Sequence, residues 1–342
     1  MLLPAKRMWI KVKCLHIGTN RKVGMRWWKR RSRGVVETDH VIFNINLPRN
    51  FCCVPLMRDD IVIANSFIEC TRHIDEIHQL SAIFRFDLEL LLSNYTPMTS
   101  GEVLKKGKPA VSPDDFIAIN AIAISIISAG STLVDSLECY IKTHCSGHIL
   151  NTFKDASGRI FDTVFEYKLL SQLRNYSQHG HIPLGIQSKK YCFDLYQIFN
   201  TPHLKLNAVA KRDFINYSRS IMEDYHDTPT LSFTLTLARY VEQISKLESL
   251  FYTLTEKQFF ELNKAFLEIS DKYKNNILRK KSSNNFIFKN SEGEHQMAID
   301  YDKSIQMFHQ YKKEAHEAYM KDLEKANYLF EGIRIVYPEK TE

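Results

Sequence analysis

The chain has 342 residues, enough for roughly two domains with cores of their own, and its 44% hydrophobic and 25% charged composition excludes wholesale disorder. Only 12 Gly and 10 Pro stand beside 21 Phe and 16 Tyr. That balance disfavours a turn-rich sandwich and points to a mainly α fold. The net charge of +7 is unevenly placed: residues 1–36 hold eleven Lys or Arg and no acid, leaving 35 basic against 39 acidic side chains, net −4, in the rest. A surface that attracts nucleic acid all over is therefore excluded.

Residues 1–36 read as a basic arm. Trp27 and Trp28 lie among Arg26, Lys29, Arg30 and Arg31, a pattern suited to phosphate neutralisation with base stacking. The alternative is a solvated tail, or a translated extension upstream of Met25 or Met57. No apolar core follows the first basic residues, so a secretory signal is not expected. The seven cysteines (14, 52, 53, 70, 139, 145, 192) are odd in number and form no regular framework. Reduced thiols in a cytoplasmic protein are the expectation.

In chain order, residues 41–47 alternate like a short strand, and the spacing of Ile63, Phe67, Ile74, Ile77, Phe84 and Leu88 predicts a helix from Asp59 to about Tyr95. Residues 97–113 read as a connector. Gly101, Gly107 and Lys108 miss a phosphate-binding loop, because the interval is one residue too long and Pro109 stands where Ser or Thr is needed. Ser112-Pro113-Asp114-Asp115 is a helix start, with a capping Ser, Pro at the first position and acids in the first turn. The helix to about His144 contains the longest uncharged run, Phe116 to Val134. Asn120, Ser125, Ser128, Gly130, Ser131 and Thr132 interrupt that run, which suits a buried helix better than a membrane span.

A loop is expected around Ser146, Gly147, Ser157 and Gly158, then a helix over about 162–179 ended by Gly180 and Pro183. Short strands are predicted over 191–206 around a turn at 200–202. Helices follow over 207–225, 231–253, 255–278 and 295–331, with a polar loop or hairpin at 279–294. Tyr240, Ile244, Leu247 and Phe251 make a stripe of core or oligomer contact. Cys139, His144, Cys145 and His148 fall within ten residues but lack the paired arms of a zinc site, so no metal and no cofactor are expected.

Within the helix at 162–179, Arg174, Asn175 and His179 occupy the last turns. Asn175 and His179 share a face, with Arg174 about 100° round. An imidazole of ordinary pKa about 6.5 takes and gives a proton near neutrality. A guanidinium suits the developing charge of a phosphorane. Arg33/His40, Arg72/His78 and Arg219/His226 have similar spacing, but each of those Arg has a Glu four residues later, the spacing of a helical ion pair. Arg174 has no acid within four residues on either side, so it is expected to remain open to an anion.

This Arg-x(4–6)-His pattern resembles the signature of the HEPN family (higher eukaryotes and prokaryotes nucleotide-binding). Asn120-Ala121-Ile122, Ser128-Ala129-Gly130, Leu137-Glu138, and Tyr167 ahead of Leu173-Arg174-Asn175-Tyr176 look like its paired core helices. The resemblance covers about residues 59–185. It implies a helical bundle, homodimerisation, and metal-independent RNA cleavage in a cleft shared by two copies, as in toxins and antiviral defence effectors. Arg174, Asn175 and His179 would be its catalytic residues. His181 also satisfies the spacing and stands as the alternative imidazole. It occupies the position where some relatives carry a nucleotide-accepting Tyr, so that modification is not implied.

The chain is thus expected to have a basic arm with a short strand (1–58), an HEPN-like helical domain (59–185), and a second mostly helical domain with a short β element (186–342). RNA is the expected partner, with a regulatory protein partner on the last domain and no membrane. The alternative function is a non-catalytic helical scaffold that binds RNA, nucleotide or protein.

Overall fold

Apolar residues at helical spacing dictate four long helices, which the computed structural model describes together with residues 41–44, 54–55, 57–97, 103–105, 113–178, 183–187, 190–200, 212, 215–216, 230–277, 285–289 and 295–336. The chain divides into units Met1–Glu37 and Thr38–Glu342, and every element described belongs to the second. The basic arm, with Arg26, Trp27, Trp28, Lys29, Arg30 and Arg31, lies outside the described residues.

Strands β1 (Val41–Asn44) and β2 (Val54–Pro55) precede α1 (Arg58–Asn94). On α1, Phe67, Ile74, Ile77 and Phe84 are wholly buried at intervals of seven, three and seven. Burial of each such side chain is worth roughly 1.5–3 kcal/mol. The expected connector contains a hairpin, β3 (Tyr95–Pro97) with β4 (Val103–Lys105). Helix α2 (Pro113–His144) starts at the expected proline, with Asp114 and Asp115 in its first turn. Contacts from Cys70 to Tyr140, His73 to His144 and Asp87 to Ser125 show α1 and α2 running antiparallel.

The loop expected after residue 145 is a helix, α3 (Gly147–Thr163). Its buried Phe153 and Ile160 lie seven apart on one face, while Gly147 and Gly158 face open space, where a missing Cβ sacrifices no contact. Val164 is extended and breaks the path before α4 (Phe165–Gln178). Strands β5 (Leu184–Gln187) and β6 (Lys190–Asp194) pair with β7 (Thr230–Ser232) in a three-stranded antiparallel sheet. Residues 195–200, expected to be extended, form α5 (Leu195–Asn200), and the turn expected over 200–202 falls largely outside the described residues.

One continuous helix, α6 (Phe233–Ile277), replaces the two expected over 231–253 and 255–278. The threonines at the expected break are accommodated. Thr253 and Thr255 donate their hydroxyls to the carbonyls of Ser249 and Phe251, one turn earlier. The polar insert is a hairpin of β8 (Asn285–Lys289) and β9 (His295–Asp300), with β8 also pairing to β1. The last helix therefore begins at residue 301 rather than 295, as α7 (Tyr301–Val336).

Helix α6 organises the bundle. It runs antiparallel to α7, as shown by Asn263–Ser304, Lys312–Glu256 and Ser245–Asp322, and antiparallel to α1 through Phe67–Phe266 and Lys272–Asp60. Tyr240, Ile244, Leu247 and Phe251 are wholly buried, so their stripe is core. A single hydrophobic cluster joins these residues to Ile74, Ile126, Tyr140, Leu170 and Phe308. The boundary expected near residue 185 is thus no boundary between cores, since α1–α4 and α6–α7 share one interior.

Helix α2 is the one helix among the described residues long and apolar enough to cross a membrane by length and composition. Its Ile119, Ala123, Ile126, Ile127 and Leu133 are buried in the bundle.

Candidate functional site

Leu169, Leu170 and Leu173 are buried and seat α4 on the core. That packing leaves Arg174 half-buried, one turn from the helix end. Its guanidinium donates to a carboxylate oxygen of Asp135 on α2 at 2.7 Å. The side chains are 30% and 69% exposed, so the pair sits at the surface. Arg174 was expected to stand without a carboxylate, and the structure corrects this. The acid comes from 39 residues away, where a search of neighbouring positions does not reach. Of the three similar motifs, Arg72 pairs with Glu76 as its spacing predicts, at 3.6 Å, while Arg33 and Arg219 lie outside the described residues.

A tyrosine from the far half of the chain enters beneath this pair. The Tyr240 hydroxyl donates to the Ile127 carbonyl at 3.1 Å and stands 3.3 Å from the Ser131 hydroxyl. Its ring stacks on Tyr167 of α4 at 5.8 Å between centroids. Burial holds the Tyr240 phenol far above its ordinary pKa, so it remains a neutral hydrogen-bonding group. Gly130 makes the room: a Cβ there would lie 2.8 Å from the Tyr240 oxygen and 3.1 Å from Phe84. Ser177, three residues after Arg174 on α4, keeps a buried hydroxyl with no hydrogen-bond partner among the described residues.

The catalytic set expected from sequence is only partly described. Asn175 belongs to α4, but its side chain, and all of His179 and His181, lie outside the described residues. Sequence reasoning missed Asp135 and Tyr240. Asp135 had one signal, since it is the charge that ends the uncharged run on α2.

Cys139, His144, Cys145 and His148 do not converge. Cys139 and His148 are exposed, whereas His144 turns to His73, with ring nitrogens 3.4 Å apart. Among the described residues no group of three His, Cys, Asp or Glu could hold a metal ion. Burial pushes the Cys145 thiol up to about 11 and the Cys70 thiol, bonded to Tyr140 at 2.7 Å, up to about 12. Neither is an activated nucleophile.

Compared with protein-family models, curated proteins and solved structures, the chain matches none of them.

Proposed function

We propose that this chain is an HEPN-type, metal-independent endoribonuclease of the cytoplasm, acting as a homodimer in a toxin or defence role. Arg174 holds the phosphodiester, and His179, or His181 in its place, moves the proton. Asn175 orients the phosphate or the imidazole. The base takes the proton of a ribose 2′-hydroxyl, the 2′-oxygen bonds to phosphorus, and the bond from phosphorus to the 5′-oxygen breaks. That leaving oxygen receives a proton, giving a 2′,3′-cyclic phosphate and a 5′-hydroxyl. DNA lacks the nucleophile and is left intact.

The observation that carries this reading is the position of the Arg174–Asp135 pair. An exposed ion pair is worth about 0–1 kcal/mol. A phosphodiester offering two oxygens to the guanidinium fork can displace it at small cost. The Ser177 hydroxyl adds, three residues on, a polar group that no described residue engages. The same pair favours a second reading, in which Arg174 only fastens α4 to α2 in a non-catalytic scaffold that binds RNA, nucleotide or a protein partner.

Incubating purified protein with RNA in EDTA separates the two. Wild type should generate 2′,3′-cyclic ends on RNA and leave DNA whole. Arg174→Ala and His179→Ala should each abolish this, with His181→Ala locating the acting imidazole. Intact RNA with wild type, or cleavage that survives both substitutions, overturns the nuclease.

A further inference from the structure

A cavity of about 170 Å³ lies where α1, the first turns of α6 and α7 meet. Its walls are apolar, with Leu88, Leu91, Phe233, Leu237, Val241 and Leu329 among them. An engineered dry cavity of about 150 Å³ holds benzene, so this volume takes one aromatic ring or a chain of about eight carbons.

The polar groups at the cavity carry more cation than anion. Arg85, Lys321 and Lys325 stand against Glu89 and Asp322. Arg85 is already committed, since it bonds to Asp322, donates to Ser245 at 2.7 Å and lies 3.6 Å from Glu248. Asp322 is committed too, because it also accepts from Ser245 at 2.7 Å. Lys325 is half-buried yet makes no ion pair among the described residues. Burial lowers its pKa, with Asp322 opposing and Lys321 adding to the effect. Thr234 is 6% exposed, and its buried hydroxyl finds no hydrogen-bond partner among the described residues. Because Phe233 and Thr234 open α6, the positive end of that helix faces the same space. A partly dry ammonium, an unused hydroxyl and a helix N-terminus around one apolar cavity are an unmet demand for an anionic oxygen.

We propose that this cavity binds a small amphipathic monocarboxylate, its apolar body between α1, α6 and α7 and its carboxylate on Lys325 and Thr234. The nuclease reading neither requires nor predicts this site, whose lining includes neither Tyr240 nor Arg174.

Calorimetric titration of the full chain with octanoate, 3-phenylpropanoate and neutral octan-1-ol tests the proposal. At least one carboxylate should bind with a Kd below about 1 mM, within the range open to a ligand of some ten heavy atoms. Octanoate binding more tightly identifies an acyl chain, and phenylpropanoate an aromatic acid. Lys325→Met should weaken the carboxylate about tenfold or more while leaving octan-1-ol within about twofold. It removes a desolvated charge and keeps the stem, so the fold survives. Thr234→Val should weaken the carboxylate less, and Ala318→Phe should abolish both ligands by filling the space. No carboxylate binding up to about 10 mM, or equal binding to wild type and Lys325→Met, overturns the proposal.

Discussion

Removing the Asp135 charge is the sharpest test of the site, because stability and activity should respond in opposite ways. The Arg174–Asp135 contact is short, 2.7 Å, but its acid is 69% exposed. Water and salt screen such a pair, and ordering two side chains offsets part of the attraction. Asp135→Asn should therefore cost no more than about 1 kcal/mol in urea unfolding, and the coupling in a double-mutant cycle with Arg174→Ala should stay in that range. The molecule supplies its own contrast. Arg85 meets Asp322 and Glu248, whose side chains are 14% and 3% exposed. Breaking a buried pair of that kind by Asp322→Asn should cost about 3–5 kcal/mol. Asp135→Asn should also tighten RNA binding, since it removes the carboxylate that competes with phosphate for the guanidinium. A coupling energy above about 2 kcal/mol, or RNA binding weakened by Asp135→Asn, would refute the reasoning and leave Arg174 as a structural clamp.

Gly130→Ala should destabilise the bundle by about 1–3 kcal/mol despite alanine's better helix propensity, because its Cβ strikes Tyr240 and Phe84; denaturant midpoints decide. Burial lowers the pKa of both His73 and His144 from 6.5, so between the lowered values and 6.5 the unfolded chain binds more protons than the folded one. Their contribution to stability is complete above that window and is lost as pH falls through it; pairing His73→Gln with His144→Gln should flatten the slope in urea titrations at successive pH values. Among the described cysteines, exposed Cys139 should react first with a thiol reagent at pH 8, well ahead of Cys70 and Cys145, as peptide mapping would show. Deleting residues 1–34 should weaken RNA affinity and reduce its salt dependence without abolishing cleavage, and an unchanged salt slope would show that the arm makes no phosphate contacts.

The helices were legible where local chemistry and packing agree. Pro113 with Asp114 and Asp115 starts α2 as read, and the period of Phe67, Ile74, Ile77 and Phe84 faces the core. Helix α3 was hidden because Gly147 and Gly158 look like breakers. Both are exposed, where the tax on helix propensity is small beside the burial of Phe153 and Ile160. The site was half legible. Arg174 and its helix follow from local pattern, but Asp135 and Tyr240 arrive by tertiary packing over 39 and 66 residues of chain, a separation that no periodicity encodes.

The insertion of Tyr240 also orders events during synthesis. A ribosome that has made only the first 232 residues has released α1–α4 with the hollow at Gly130 empty and the inner faces of Phe84, Tyr140 and Tyr167 wet. The nascent chain must wait for α6 to emerge before it can dry that interior. A prematurely terminated product would present those aromatic faces to its neighbours and aggregate.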